Sequence, residues 1–367
     1  MMNFTMFAQV VGTSILGISL SVCVAKEMPT NWKSECVGRL QLDLPTEADI
    51  AAYSAKRLNE EINIETEQQF HFEDGQSADW SALWYGGKIY VSHPLNQEQY
   101  VVLTDSIKKY INIPPNFAKK EKRKDGSSRQ FDILPTDPLA GYAWRVNSSY
   151  RAFLKTNNHV LWWKESGDGP TDEESERHTL ATILHGLSYR APYSVPHVMG
   201  VCLPFEFIQD DGDNQRYRSI GMTYRLKAHP DVTIMLKDAS ARKYDSEKLE
   251  KIAQPDYVID DFWTQYRGPD TSIRSVWDFP IKRSVTLAGQ KGLASFVKIT
   301  RDGNIDYGYF ATVRGDPKAK ADTPDLRLYV IQEGSKAKAK GIEPIGKEEF
   351  LKIAETIAAS VQRRPTQ

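Results

Sequence analysis

The chain has 367 residues, 40% hydrophobic and 26% charged, a composition that excludes a disordered polymer and fits a folded globular protein. Its 47 Lys and Arg against 48 Asp and Glu leave a net charge of −1. That balance excludes binding to nucleic acid or to an anionic membrane surface through bulk electrostatics.

Phe7 to Ala25 carries no charge, and Lys26-Glu27 then opens a polar chain. An apolar stretch ending in Cys23-Val24-Ala25 predicts an export signal over residues 1–25, cut after Ala25. Two other readings stay open. A stretch near the ~20 residues that span a bilayer can be an uncleaved anchor, although Gly12 and Gly17 make it a poor one. Leu20-Ser21-Val22-Cys23 partly resembles a lipoprotein box. Membrane association is therefore expected only if Cys23 is lipidated or the segment is retained. Cys36 and Cys202 remain after cleavage. In an oxidising compartment they allow one disulfide, and the alternative is two buried thiols.

Gly38 to Leu44 alternates apolar and polar residues and stops at Pro45, which predicts a strand. Ile50 to Ile64 is expected to be helical. Trp84 to Val91 predicts a hairpin turning at Gly86-Gly87. Lys119 to Arg129 is a charged loop, and Ser149 to Leu154 and His159 to Lys164 are strands on either side of Asn157-Asn158. Thr171 to Ser188 is a helix with Thr171 and Glu174 as a capping box, and Leu180, Ile183, Leu184 and Leu187 on one face. Pro192 and Pro196 bracket a junction at Tyr193 to His197.

Beyond it, Ile220 to Leu226 predicts a strand continued by Val232 to Leu236, and Ser246 to Ala253 a helix. Ser284 to Thr286, Gly292 to Thr300, Gly308 to Val313 and Leu326 to Gln332 read as strands. Lys347 to Val361 is a closing helix burying Phe350, Ile353, Ile357 and Val361, and Arg363-Arg364-Pro365 ends it. Each half thus opens with a strand running into proline and closes with an amphipathic helix, a weak sign of duplication. Strands joined by turns predict an α+β fold in two domains, 26–195 and 196–367, each a mainly antiparallel twisted sheet with packed helices.

No catalytic signature is present: no G-x-S-x-G, H-E-x-x-H, C-x-x-C or phosphate loop. His178 and His185 share a helix face without further ligand candidates, and Asp210 to Asn214 lacks the spacing of a calcium loop and reads as a solvated acidic turn. No cofactor, metal or small-molecule substrate is expected. Trp162 and Trp163, adjacent in a strand, point to opposite faces, so one is exposed if that sheet has a solvent side. Exposed Trp is enriched where proteins grip each other.

Three segments carry a resemblance. Cys36-Val37-Gly38-Arg39 with Leu42-Asp43-Leu44-Pro45, the passage Leu187 to Ile208, and the closing Glu348 to Pro365 resemble, in that order, the immunity proteins that neutralise type VI secretion lipase effectors. The resemblance implies a periplasmic, non-enzymatic inhibitor of two domains arranged like a claw, whose partner is a cognate lipase effector. Cys36, Gly38, Arg39, Asp43, Pro45, Cys202, Arg363, Arg364 and Pro365 are then fold determinants, with Arg39 and Asp43 paired on one strand face. For the partner interface the candidates are Trp162 or Trp163, Lys122 and Arg123 in the charged loop, and Asp211 and Arg216 in the acidic turn. The alternatives are an envelope lipoprotein with an assembly role and an exported hydrolase without a recognisable motif.

Overall fold

Strand and turn chemistry set the layout of the first half. In the computed structural model, which describes residues 31–45, 47–64, 69–112, 131–146, 149–164, 173–212, 217–277, 281–319 and 321–366, β1 (Trp32–Val37) and β2 (Leu40–Pro45) form a hairpin. Its turn needs Gly38: φ is +58°, and a Cβ there would run into the Asp238 carboxylate. β3 (Ala48–Ile50) precedes α1 (Ala55–Ile64), so the helix is shorter than its apolar pattern suggests. β4 (Ala82–Tyr85) and β5 (Lys88–Val91) make the Gly86-Gly87 hairpin. After α2 (Gln97–Asn112) come β6 (Phe131–Leu134), β7 (Ala140–Val146), β8 (Ser149–Thr156) and β9 (His159–Lys164), each antiparallel to the next.

The helix α3 (Glu173–Gly186) stops earlier than its apolar face predicts. Leu187 already belongs to β10 (Leu187–Tyr189), which pairs with β12 (Glu206–Gln209) next to β11 (Gly200–Leu203). β13 (Arg218–Leu226) and β14 (Val232–Ala239) correct a second expectation. The chain reverses around Pro230, so Val232 to Leu236 lies antiparallel to its predecessor and does not extend it. α4 (Glu247–Ile252) is capped by Ser246, whose Oγ accepts from the Leu249 amide at 3.3 Å. Local pattern reading missed α5 (Pro255–Tyr266), although Pro at its first turn and the buried Val258, Ile259, Phe262 and Trp263 mark it.

β15 (Thr271–Ser275), β16 (Lys282–Leu287), β17 (Gln290–Arg301), β18 (Asn304–Val313) and β19 (Asp325–Gln332) follow. After α6 (Gly334–Lys338), α7 (Lys347–Ser360) buries Phe350, Ile353 and Ile357 as expected, and β20 (Gln362–Arg363) closes the chain against β2. The fold is α+β, with every named strand pair antiparallel among the described residues.

Two small sheets, β1-β2-β20 and β10-β12-β11, accompany one of 14 strands. The large sheet runs β15-β17-β18-β19-β14-β13-β4-β5-β9-β8-β7-β6, so strands of both halves meet at β13 and β4. Alternation along β14, β17, β18 and β19 sends Leu236, Phe296, Tyr309 and Leu328 to the main core. It sends Met235, Val297, Phe310 and Tyr329 to a second cluster under α5.

Candidate partner-binding cleft

Most of the motif residues build a clasp. Cys36 and Cys202 are disulfide-bonded, and the Gly38 and Cys202 backbones exchange hydrogen bonds at 2.9 and 2.8 Å. The buried Glu35 carboxylate pairs with Arg190 at 2.5 Å and also accepts from the Tyr193 amide at 2.8 Å. Arg364 is buried too: its Nη1 donates to the Pro196 carbonyl at 2.7 Å, and its Nη2 reaches the Gly200 carbonyl. First strand, mid-chain junction and last strand therefore meet at one place.

Arg39 does not pair with Asp43. It lies at the hairpin turn, where its Nη2 is 3.0 Å from Asp210 and its Nη1 3.6 Å from Asp322. Asp43 instead accepts from Ser34 Oγ at 2.6 Å. The acidic turn is corrected as well, because the Asp210 side chain is fully buried against Arg39 and Tyr85. Arg218 bridges Asp238 at 2.9 Å and Asp322 at 2.6 Å. Burial works against the Asp322 carboxylate, yet the charges of Arg218, Arg363 and Arg39 hold its pKa below the ordinary value.

Trp162 and Trp163 leave the list of surface candidates. They are 2% and 0% exposed because both faces of their sheet are covered. Trp162 packs 5.4 Å from Trp144, whose own ring lies 5.9 Å from Tyr110 of α2, and Trp163 Nε1 donates to the Tyr85 carbonyl at 3.1 Å. Asp211 is exposed, and Arg363 is exposed and pairs with Asp322 at 3.3 Å. Pro365 is exposed. Lys122, Arg123 and Arg216, with the segment 1–25, lie outside the described residues.

The aromatic surface lies elsewhere, where β4 meets β13. A cleft of about 940 Å³ opens there, lined by Trp80, Trp84, Tyr217, Tyr266, Arg301 and Lys336 among others. Trp80 is 42% exposed in a left-handed conformation, φ 70°, unusual for a bulky residue. Its neighbours hold it there. Tyr329 Oη donates to the Asp79 carbonyl at 2.5 Å, Ser81 Oγ lies 2.6 Å from Thr223 Oγ1, and the Trp80 ring rests 5.4 Å from Phe262. Trp84 meets Tyr217 edge-on at 6.2 Å, and Arg242 lies over that Tyr217 ring at 3.9 Å. Burial pushes the Tyr266 phenol up to about 12, against the pull of Arg301 nearby. Sequence reading passed over Trp80 because no periodicity marks the loop that carries it.

Rigidly held aromatic and arginine side chains around a concavity suit macromolecular recognition. No group of three or more His, Cys, Asp or Glu able to hold a metal occurs among the described residues. Residues 194–366 match the family model of the Tle cognate immunity protein 4 C-terminal domain. The apo immunity protein TplEi of the type VI secretion system of Pseudomonas aeruginosa shares the fold, with 16% identity and a TM-score of 0.55 over 92% of this chain and 99% of that one. So does a chain of the Tle4–Tli4 complex, at 17% identity, a TM-score of 0.55 and the same coverage. TplEi has also been solved with an "L" peptide, and that structure aligns with this chain at 15% identity and a TM-score of 0.55, again over 92% of this chain and 99% of that one. No curated protein matches the sequence. Residues 194–366 therefore form a domain of the Tle cognate immunity protein 4 type, and the chain as a whole matches the immunity proteins of type VI lipase effectors.

Proposed function

We propose that this protein is the cognate immunity protein of one type VI lipase effector and silences it by occupying its surface, with no bond-making of its own. The observation that carries this reading is the immunity domain at 194–366 on a fold shared along nearly the whole chain with solved immunity proteins. The domain model begins beside the proposed boundary between lobes 26–195 and 196–367. The exposed Trp80 in a cleft lined from both lobes supplies the anchor that such an inhibitor needs. The protein acts in the periplasm after loss of residues 1–25, and its disulfide supports an oxidising compartment.

The test is co-purification with the lipase effector that this reading expects to be encoded beside it, followed by a lipase assay. Stoichiometric immunity protein abolishes hydrolysis. An unchanged rate at excess would overturn the reading, and turnover by the immunity protein itself would favour the hydrolase alternative.

A further inference from the structure

Among the described residues, one sheet face beside the cleft carries positive charges that meet no carboxylate in an ion pair. Antiparallel register places Ala82, Gly221, Lys237 and Arg327 in one cross-strand row over β4, β13, β14 and β19. Residues paired this way share a face, and like charges directly opposite destabilise a sheet. Lys237 and Arg327 are such a pair. Arg242 joins them from the segment after β14, lying over Tyr217 of the cleft. The next row places Trp84 opposite Ser219 and Ser219 opposite Ala239. Only the small side chains of Ala82, Gly221, Ser219 and Ala239 therefore separate Trp84 from Lys237.

Among the described residues neither Lys237 nor Arg327 makes an ion pair. The nearby carboxylate, Asp325, is engaged by Arg314 at 2.7 Å. Burial, then the charges of Arg327 and Arg242, lower the Lys237 pKa to about 8, with Asp325 opposing. The cluster thus costs the free chain stability, and a ligand carrying negative charge relieves that cost.

We propose that Lys237, Arg242 and Arg327 form a docking site for an acidic segment of the lipase effector, which enters the cleft beside Trp84 and Tyr217. Charge complementarity selects the occupant, and the aromatic walls accept the apolar side chains that flank its carboxylates. This rests on the immunity reading and deepens it by naming the face and the partner's chemistry. Two exposed arginines supply steering, and the half-buried Lys237 supplies the desolvated contact.

The experiment uses the full mature chain and the purified lipase effector that the immunity reading expects beside its gene. R242E/R327E weakens the affinity by about tenfold or more at low salt and flattens its dependence on ionic strength. K237M weakens binding while its melting temperature stays level or rises, because an apolar side chain replaces a crowded charge. No binding by the wild type overturns the immunity reading itself. Wild-type binding with unaltered affinity and salt dependence in R242E/R327E overturns the docking site alone. It also falls if the variant keeps its lipase affinity but loses wild-type binding to phosphatidylglycerol vesicles, which would make the face a membrane contact.

Discussion

The clasp and the cleft use similar side chains to opposite ends. At the clasp, Arg39, Arg190 and Arg218 are buried and each meets a carboxylate at 3.0 Å or less. Around the cleft, Arg242 and Arg327 are exposed and Lys237 is half-buried, with Arg327 set directly against Lys237 and no carboxylate between them. A buried charge with its partner specifies which segments meet, whereas a charge left without one stores affinity for something outside the chain. The aromatics divide in the same way. Trp162 and Trp163 are sealed in the core, while hydrogen bonds of its neighbours hold Trp80 at the surface against the strain of its left-handed backbone.

Removing one member of a clasp pair tests the first half of that contrast most severely. Asp238 accepts from Arg218 Nε at 3.0 Å and from the Arg39 amide at 2.8 Å. Asp238→Ala takes away the buried carboxylate that Arg218 meets at two nitrogens, leaving only Asp322 at 2.6 Å opposite the guanidinium, and lowers stability by about 3–5 kcal/mol, read from urea unfolding. A loss under 1 kcal/mol would show that the network is not what joins these segments. The Cys36→Ser/Cys202→Ser pair comes next, with about 2–5 kcal/mol lost because the bond closes a span of 166 residues. Its measurement is the same unfolding curve with and without reductant, and reductant is expected to destabilise only the parent.

Local order is legible in the sequence wherever one element carries its own signal. The Gly86-Gly87 turn, the apolar stripe of α7 and the two strands β8 and β9 on either side of Asn157-Asn158 all announce themselves. Pairing between distant strands does not. Nothing near Arg218 or Tyr85 says that they face each other, so the joint between β13 and β4, and the cleft above it, appear only in three dimensions. The same blindness affects Trp162 and Trp163. Alternation separates their faces correctly, but whether a face is wet depends on helices encoded elsewhere. Arg39 and Asp43 illustrate a third failure. Spacing along one strand suggested a local pair, yet the turn at Gly38 aims Arg39 at Asp210, far away in sequence.

The two tryptophan environments give a direct contrast. Trp163→Ala removes a fully buried indole and costs about 3–5 kcal/mol of stability. Trp80→Ala costs little stability but weakens lipase binding by about 2 kcal/mol, the scale of an interface anchor. Calorimetry of unfolding and titration of the lipase separate the two. If Trp80→Ala binds like the parent, the cleft is not the gripping surface.

The smallest expected effect concerns a buried carboxyl that belongs to neither region. Glu206 is 0% exposed on β12, where Thr156 Oγ1 donates to its Oε1. Burial raises its pKa well above the ordinary 4.5, with the Thr156 hydrogen bond and Arg190 opposing. The folded chain therefore holds this proton to a higher pH than the unfolded chain does. Its contribution to stability is fully present below about 4.5 and is lost as pH climbs through the folded value. His93 and His159, whose pKa values burial lowers, slope the other way: their cost appears as pH falls below about 6.5. Glu206→Gln removes only the first slope. Near pH 8 the variant is more stable than the parent, by on the order of 1 kcal/mol, and the advantage vanishes at acid pH. Parallel stability curves for the two proteins from pH 5 to pH 8 would show that Glu206 stays ionised in the fold.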